Sequence, residues 1–145
     1  MDEQRIEVVI PSRLDYLGVL AKMVESLQGP LELTDEETFA LSTALIEAGT
    51  NAVQHGSHDP ALPVKLIICG DAEKVVMDVT DRGKGFDLER AQSHVAEVTA
   101  PDHIFDSRGR GIFIMREVMD EVNFTFANGQ GTTVSLVLRR KSEGS

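Results

Sequence analysis

Glu47-Ala48-Gly49-Thr50-Asn51-Ala52-Val53-Gln54-His55-Gly56 closes a long stretch of helical spacing that starts near Asp35. Residues four apart on a helix share a stripe that drifts only about 40° per step. Glu47, Asn51 and His55 therefore line one edge, and Leu41, Ala44, Leu45, Ala48 and Ala52 line the apolar side. Thr34 with Glu37 fits a capping box at the start of this helix. Gly56, with Pro60 just beyond it, fits a stop. An acid and a carboxamide one turn apart suit two jobs. Asn51 offers a neutral oxygen to a hard cation such as Mg²⁺, which takes few protein ligands and keeps waters and phosphate oxygens for the rest. Glu47 could accept a proton from an attacking hydroxyl or water. The same residues would also fit a solvated helix face, so the stripe decides nothing by itself.

Upstream, Arg5 to Ile10 reads as a strand that Pro11 ends. Ser12 with Asp15 fits a second N-terminal cap, and apolar residues from Leu14 to Leu27 repeat at helical spacing up to Gly29-Pro30. Downstream, Leu62–Cys69 and Lys74–Thr80 are rich in Val and Ile and form a hairpin around Gly70-Asp71. Leu88–His94 reads as a short helix. Val95 to Ser107 has no periodicity, and a loop of that length inside a compact domain points to function or mobility. Helical spacing resumes from Gly111 to about Asp120. Val122–Phe126 and Thr132–Leu138 form a last hairpin around Asn128-Gly129-Gln130-Gly131. Strands joined mainly by hairpins predict an α+β two-layer sandwich: a mostly antiparallel mixed sheet with helices on one face. No repeat or linker divides the chain, so a single domain over 1–145 is expected, with an ordered core of about 5–139.

Composition narrows the function. A hydrophobic share of 41% and a charged share of 26% over 145 residues fit one soluble globular domain. A formal charge of −10 argues against direct nucleic-acid binding and against adhesion to anionic membranes. Apolar runs such as Leu66-Ile67-Ile68-Cys69 are too short to span a bilayer, and Met1-Asp2-Glu3-Gln4-Arg5 carries no signal-peptide pattern. The lone Cys69 excludes an internal disulfide and suits a reducing cytoplasm, the expected location.

Two glycine segments add candidate chemistry. Asp81-Arg82-Gly83-Lys84-Gly85-Phe86 follows the end of a strand. Gly83 and Gly85 let another group approach the backbone, and Asp81 could accept from a purine amino group; a plain surface turn remains the other reading. Ser107-Arg108-Gly109-Arg110-Gly111-Ile112 opens a helix. Free N–H groups at a helix start attract anions, and Arg108 or Arg110 could add charged donors. A flexible basic loop before a helix is the alternative. Gly131-Thr132-Thr133 begins the last strand. The histidines and the cysteine lack zinc-site spacing, and no Walker-type loop or protein-kinase signature is present.

Taken in order, Glu-x-x-x-Asn-x-x-x-His-Gly, Asp-x-Gly-x-Gly-Phe, Gly-x-Gly-Ile and Gly-Thr-Thr resemble the Bergerat-fold (GHKL) ATPases, whose members include histidine-kinase ATP domains. Within them the wording around Glu47 is similar to the bacterial anti-sigma-factor serine/threonine kinases. The resemblance runs from about Ile6 to Leu138. It implies ATP and Mg²⁺ as cofactors, with Asn51 on the metal and Glu47 as general base. It implies Asp81 on the adenine amino group with Thr133 assisting, and Gly83 and Gly85 shaping the adenine wall. It implies an ATP lid over about 95–110, with Arg108, Gly109 and Gly111 near the phosphates. The implied substrate is a STAS-like anti-sigma antagonist. The implied partner is a sigma factor, held by a homodimer joined through the N-terminal part. Two alternatives stay open: an ATP-binding regulatory module without phosphoryl transfer, and a stand-alone histidine-kinase-type ATP domain. No His lies between Leu14 and Gln28 to serve as a phosphoacceptor for the latter.

Overall fold

The computed structural model describes residues 2–56, 62–82, 107–126 and 131–141. Strands β1 (Gln4–Ile10), β2 (Val64–Gly70), β3 (Lys74–Asp81), β4 (Glu121–Phe126) and β5 (Thr132–Arg139) form one sheet in the order β1-β2-β3-β5-β4. Every neighbouring pair is antiparallel, so the sheet is more uniform than the mixed one expected. Helix α2 (Asp35–Asn51) lies between α1 (Leu17–Ser26) and α3 (Ser107–Val118) and packs on both. The result is the expected α+β arrangement.

Alternation builds the interface between the layers. Val64, Leu66 and Ile68 on β2 and Val75, Met77 and Val79 on β3 are buried, while the residues between them are only partly covered. They join Leu20 and Val24 of α1, Leu41 and Leu45 of α2, and Ile112 and Met115 of α3 in one hydrophobic cluster. Each large aliphatic side chain fully buried there contributes about 1.5–3 kcal/mol.

Local chemistry sets the ends of the elements. Both bonds of the capping box on α2 are present: Glu37 N–H donates to Thr34 Oγ1 at 3.0 Å, and Thr34 N–H donates to Glu37 Oε1 at 2.9 Å. Asp35, Glu36 and Glu37 place three acids on the positive end of the helix dipole. The α-helix stops at Asn51, and Ala52–Gly56 continue as a wider π turn, a form that recurs at functional sites. Before α1, Arg13 rather than Ser12 takes the N-cap position of a 3-10 turn over Leu14–Tyr16. Its side chain does not cap that turn but pairs with Asp15 at 2.9 Å. β2 starts at Val64 because Pro63 has no N–H for the ladder. α3 starts at Ser107, within the Ser107–Ile112 segment expected to open a helix and ahead of the apolar spacing that resumes at Gly111. The expected helix over 88–94 and most of the expected lid lie outside the described residues. Among the described residues no helix is long and apolar enough to cross a membrane.

Arg140 ties the end of the chain to the start of α2. Its Nε donates to Glu37 Oε2 at 3.2 Å, and its Nη1 donates to the carbonyls of Leu31 and Asp71, each at 3.0 Å. Its Nη2 donates to the Glu32 carbonyl. Side-chain exposure is 11% for Arg140 and 14% for Glu37, so removing either leaves a shielded charge without its partner. Arg140→Ala should therefore destabilise the fold by about 3 kcal/mol in urea unfolding. Arg140→Lys should recover little of the loss, because an ammonium cannot fork toward several acceptors.

The β2–β3 hairpin closes on Asp71, whose Oδ1 accepts from the N–H groups of Glu73 at 2.8 Å and Lys74 at 3.0 Å. The Lys74 and then the Glu73 N–H hold this carboxyl below its ordinary 3.8. A depressed folded-state value means the stabilisation is complete above 3.8 and disappears as pH falls through the lowered value. Asp71→Ala should lower the melting temperature at neutral pH, and the gap from wild type should narrow as the pH is taken below 3.8.

Candidate functional site

The C-terminal end of α2 stands over the ends of β3 and β5. Asn51, Asp81 and Thr132 are all buried, at 8%, 5% and 4% exposure, and all three line one small cavity. Val79, Met115 and Phe124 supply apolar walls. The cavity measures about 10 Å³, the room of one water. Asp81 arrives there because it is the last residue of β3, on the buried parity of that strand. Thr132 is its direct partner on β5.

Among the described residues three buried side-chain atoms lack a hydrogen-bond partner: Ser42 Oγ, Asn51 Nδ2 and Thr132 Oγ1. Two of these line this cavity. An orphaned buried polar group costs about 1–3 kcal/mol. Concentrating that cost in one cavity fits a place where a polar ligand completes the bonding.

Glu47 sits one turn before Asn51, on the edge of α2 that faces α3. A Cβ placed on Gly111 would lie 3.0 Å from Glu47 Oε2 and 3.6 Å from both amide atoms of Asn51. The absent side chain at Gly111 thus leaves α3 room to pass close to both groups. Burial pushes the Glu47 carboxyl above its ordinary 4.5, and the positive charge of Arg110 on α3 opposes that rise. A carboxylate so desolvated is a stronger proton acceptor than one in open water.

The expected residues divide into three groups. Glu47, Asn51, Asp81 and Gly111 come together around the end of α2. Thr133 stands apart: its hydroxyl shares a 2.9 Å hydrogen bond with Thr80 on the other face of the sheet. Thr132 is the hydroxyl that shares the cavity with Asp81, because side chains alternate along β5. Arg108 and Gly109 belong to the first turn of α3, with side chains outside the described set, and Gly83 and Gly85 lie outside the described residues. Phe124 and Met115 were not anticipated. Gly49 does not face the cavity either: its Cβ would lie 2.7 Å from Leu17 Cδ2, so it admits α1.

The arrangement offers an acid acceptor and a hydroxyl beneath, an amide above them, and a desolvated base to one side. These groups can bond a donor-bearing polar edge that reaches the cavity. The family model described as "Histidine kinase-like ATPase domain" matches residues 10–138. The chain is 30% identical over 137 residues to the serine-protein kinase RsbW of Bacillus velezensis, covering 90% of this chain and 82% of that one. It is 31% identical over 115 residues to the anti-sigma F factor of Anoxybacillus flavithermus, covering 79% and 77%. In fold it is similar to the crystal structure of the RsbU and RsbW domains of a Mycobacterium tuberculosis protein, with a TM-score of 0.64 at 15% identity. That match covers 96% of this chain and 34% of the longer one.

Gly111→Ala separates folding from chemistry. Alanine is better in a helix by about 1 kcal/mol, so thermal stability should hold or rise. The added methyl must displace the Glu47 carboxylate, and any catalysis by that carboxylate should fall about ten-fold or more in a turnover assay. A variant with full turnover would show that the approach of α3 to Glu47 has no chemical consequence.

Proposed function

The chain belongs to the histidine kinase-like ATPase domain family, and from that premise we propose that it is an ATP-dependent anti-sigma-factor serine/threonine protein kinase. Its relatives include proteins named serine-protein kinase and anti-sigma F factor. The observation that carries the reading is the cavity where Asn51 Nδ2 and Thr132 Oγ1 lack partners beside Asp81, with Glu47 one turn away. Asp81 accepts from the exocyclic amino group of adenine. Thr132 takes the assisting role that the resemblance gives to Thr133. Gly83 and Gly85 shape the adenine wall. Arg108, Gly109 and Gly111 sit near the phosphates at the end of the lid.

Asn51 fits a hard cation bound through phosphate. It contributes a neutral amide, and among the described residues no group of three His, Cys, Asp or Glu gathers to hold an ion alone. Its Oδ1 would hold Mg²⁺, which neutralises charge on the phosphates when bound. Glu47 takes the proton of a serine or threonine hydroxyl on the partner. The hydroxyl oxygen bonds to the γ-phosphorus as the bond to the β–γ bridging oxygen breaks. ADP leaves with that electron pair, and the phosphoprotein remains.

The protein substrate is a STAS-like anti-sigma antagonist domain. The unphosphorylated antagonist competes with a sigma factor for the kinase, and its phosphorylation leaves the sigma factor sequestered by the kinase homodimer. Incubation with Mg-ATP and antagonist domains encoded by the same organism, followed by mass spectrometry, should find one carrying phosphoserine or phosphothreonine. Glu47→Gln should keep ATP affinity and lose about 10²–10⁴ in transfer rate. Asp81→Asn should weaken nucleotide binding in calorimetric titration. Equal transfer by Glu47→Gln and wild type would rule out Glu47 as the base.

A further inference from the structure

α3 meets the base through its first turns. Its backbone passes so close that a Cβ on Gly111 would lie 3.0 Å from Glu47 Oε2 and 3.6 Å from both amide atoms of Asn51. The residue before that glycine is Arg110, and it is exposed. Its positive charge acts on the Glu47 carboxyl. Yet no hydrogen bond or salt bridge ties its guanidinium to another described residue, Glu47 included. Elsewhere on this chain of formal charge −10, arginines close on carboxylates. Arg5, Arg13, Arg139 and Arg140 each do so at 2.9–3.3 Å. Arg110 stands beside a carboxylate without pairing with it.

The proposed transfer defines what belongs between those two charges. A base takes a proton from a hydroxyl oxygen about 2.6–3.2 Å away. That oxygen approaches the phosphorus it attacks to about 3–3.5 Å. The γ-phosphorus therefore stands at most about 7 Å from the Glu47 carboxylate during transfer. A cation whose field reaches Glu47 reaches that group as well. A guanidinium suits it, because its planar fork of donors matches phosphate oxygens and its charge persists at any working pH. As the phosphoryl group moves, negative charge spreads over its outer oxygens, and a preplaced cation lowers the barrier by holding it.

We propose that Arg110 is a catalytic residue whose guanidinium binds the γ-phosphoryl oxygens beside the hydroxyl that Glu47 activates. The inference rests on the kinase reading and deepens it. The resemblance points to Arg108 at the phosphates, whereas the structure brings the charge of Arg110 to the base. Arg110 keeps its proton throughout. The hydroxyl proton goes to Glu47, the new bond runs from the hydroxyl oxygen to the γ-phosphorus, and the electron pair of the broken bond leaves on ADP. ADP has no γ-phosphoryl group, so Arg110 also tells one nucleotide from the other.

Calorimetric titrations with ATP and with ADP, magnesium present in both, test the contact without turnover. Arg110→Ala should raise the Kd for ATP about ten-fold or more, the loss of a charge-assisted pair. The Kd for ADP should stay at the wild-type value. Arg110→Lys should restore part of the ATP affinity, since it returns the charge without the fork. Arg116→Ala removes the same charge from the last turn of α3 and should change neither constant. With an antagonist domain that the wild type phosphorylates, Arg110→Ala should also lower kcat about 10²–10³-fold. An unchanged preference for ATP over ADP in Arg110→Ala overturns the proposal and leaves the kinase standing, even where transfer falls, because Arg110 then acts on Glu47 alone. An equal loss of preference in Arg116→Ala overturns it too, by showing an effect of net charge. A wild type that binds both nucleotides and phosphorylates no antagonist overturns the kinase reading, and the catalytic role of Arg110 with it.

Discussion

β3 and β5 pair antiparallel from Lys74 opposite Arg139 to Asp81 opposite Thr132, and the candidate site depends on where that ladder ends. Gly131 has φ +118°, a left-handed value that suits glycine. A Cβ there would fall 1.9 Å from the Asp81 carbonyl oxygen. Only a residue without a side chain lets β5 begin so close to the end of β3. The contact pins the register, and the register decides the chemistry. A slip of one residue would turn Thr132 to the far face and put Thr133 beside Asp81. An acceptor and a hydroxyl side by side under α2 thus follow from one close backbone contact between segments distant in sequence.

Two further close approaches place α2 over that floor. Gly49 admits Leu17 of α1 on one edge, and Gly111 admits α3 on the other. Glycine in a helix costs about 1 kcal/mol against alanine. At Gly49 that cost is offset by apolar contact between helices. At Gly111 the close neighbours are the Glu47 carboxylate and the Asn51 amide, so close packing there leaves room for polar groups instead of filling it. The two glycines look alike in the sequence, yet one serves the core and the other serves the site.

Features that depend on neighbours in sequence were legible. Thr34 and Glu37 announce the start of α2 because both capping bonds close within three residues. Gly70-Asp71 announces the β2–β3 hairpin because the Asp71 side chain bonds only two and three residues ahead. Glu47 and Asn51 could be placed together from helical phase alone. The β3–β5 and β1–β2 ladders could not be read, since no local signal records which strands become neighbours across a crossover. Parity on β5 was nonetheless available: Val134 and Leu136 are apolar and Ser135 is not, which turns Thr132 inward and Thr133 outward. Arg140 fell just outside the expected ordered core of about 5–139. Its acceptors at Leu31, Glu32, Glu37 and Asp71 come from segments that only the folded chain assembles.

The same helix is fastened at one end and left unsatisfied at the other. At its start the capping box, three acids on the dipole and the Arg140 guanidinium fix α2 to the rest of the fold. At its end the α-helix gives way to a π turn, the Asn51 amide nitrogen lacks a partner, and burial raises the Glu47 carboxyl. Each of these last features costs stability, and the bonding at the start helps to offset it. A continuous helix between the two ends is stiff, so the bonding at its start also sets where Glu47 and Asn51 stand over the sheet. That rigidity carries anchoring at one end of α2 into alignment at the other, and a carboxyl can act on a neighbouring group only where such alignment is held.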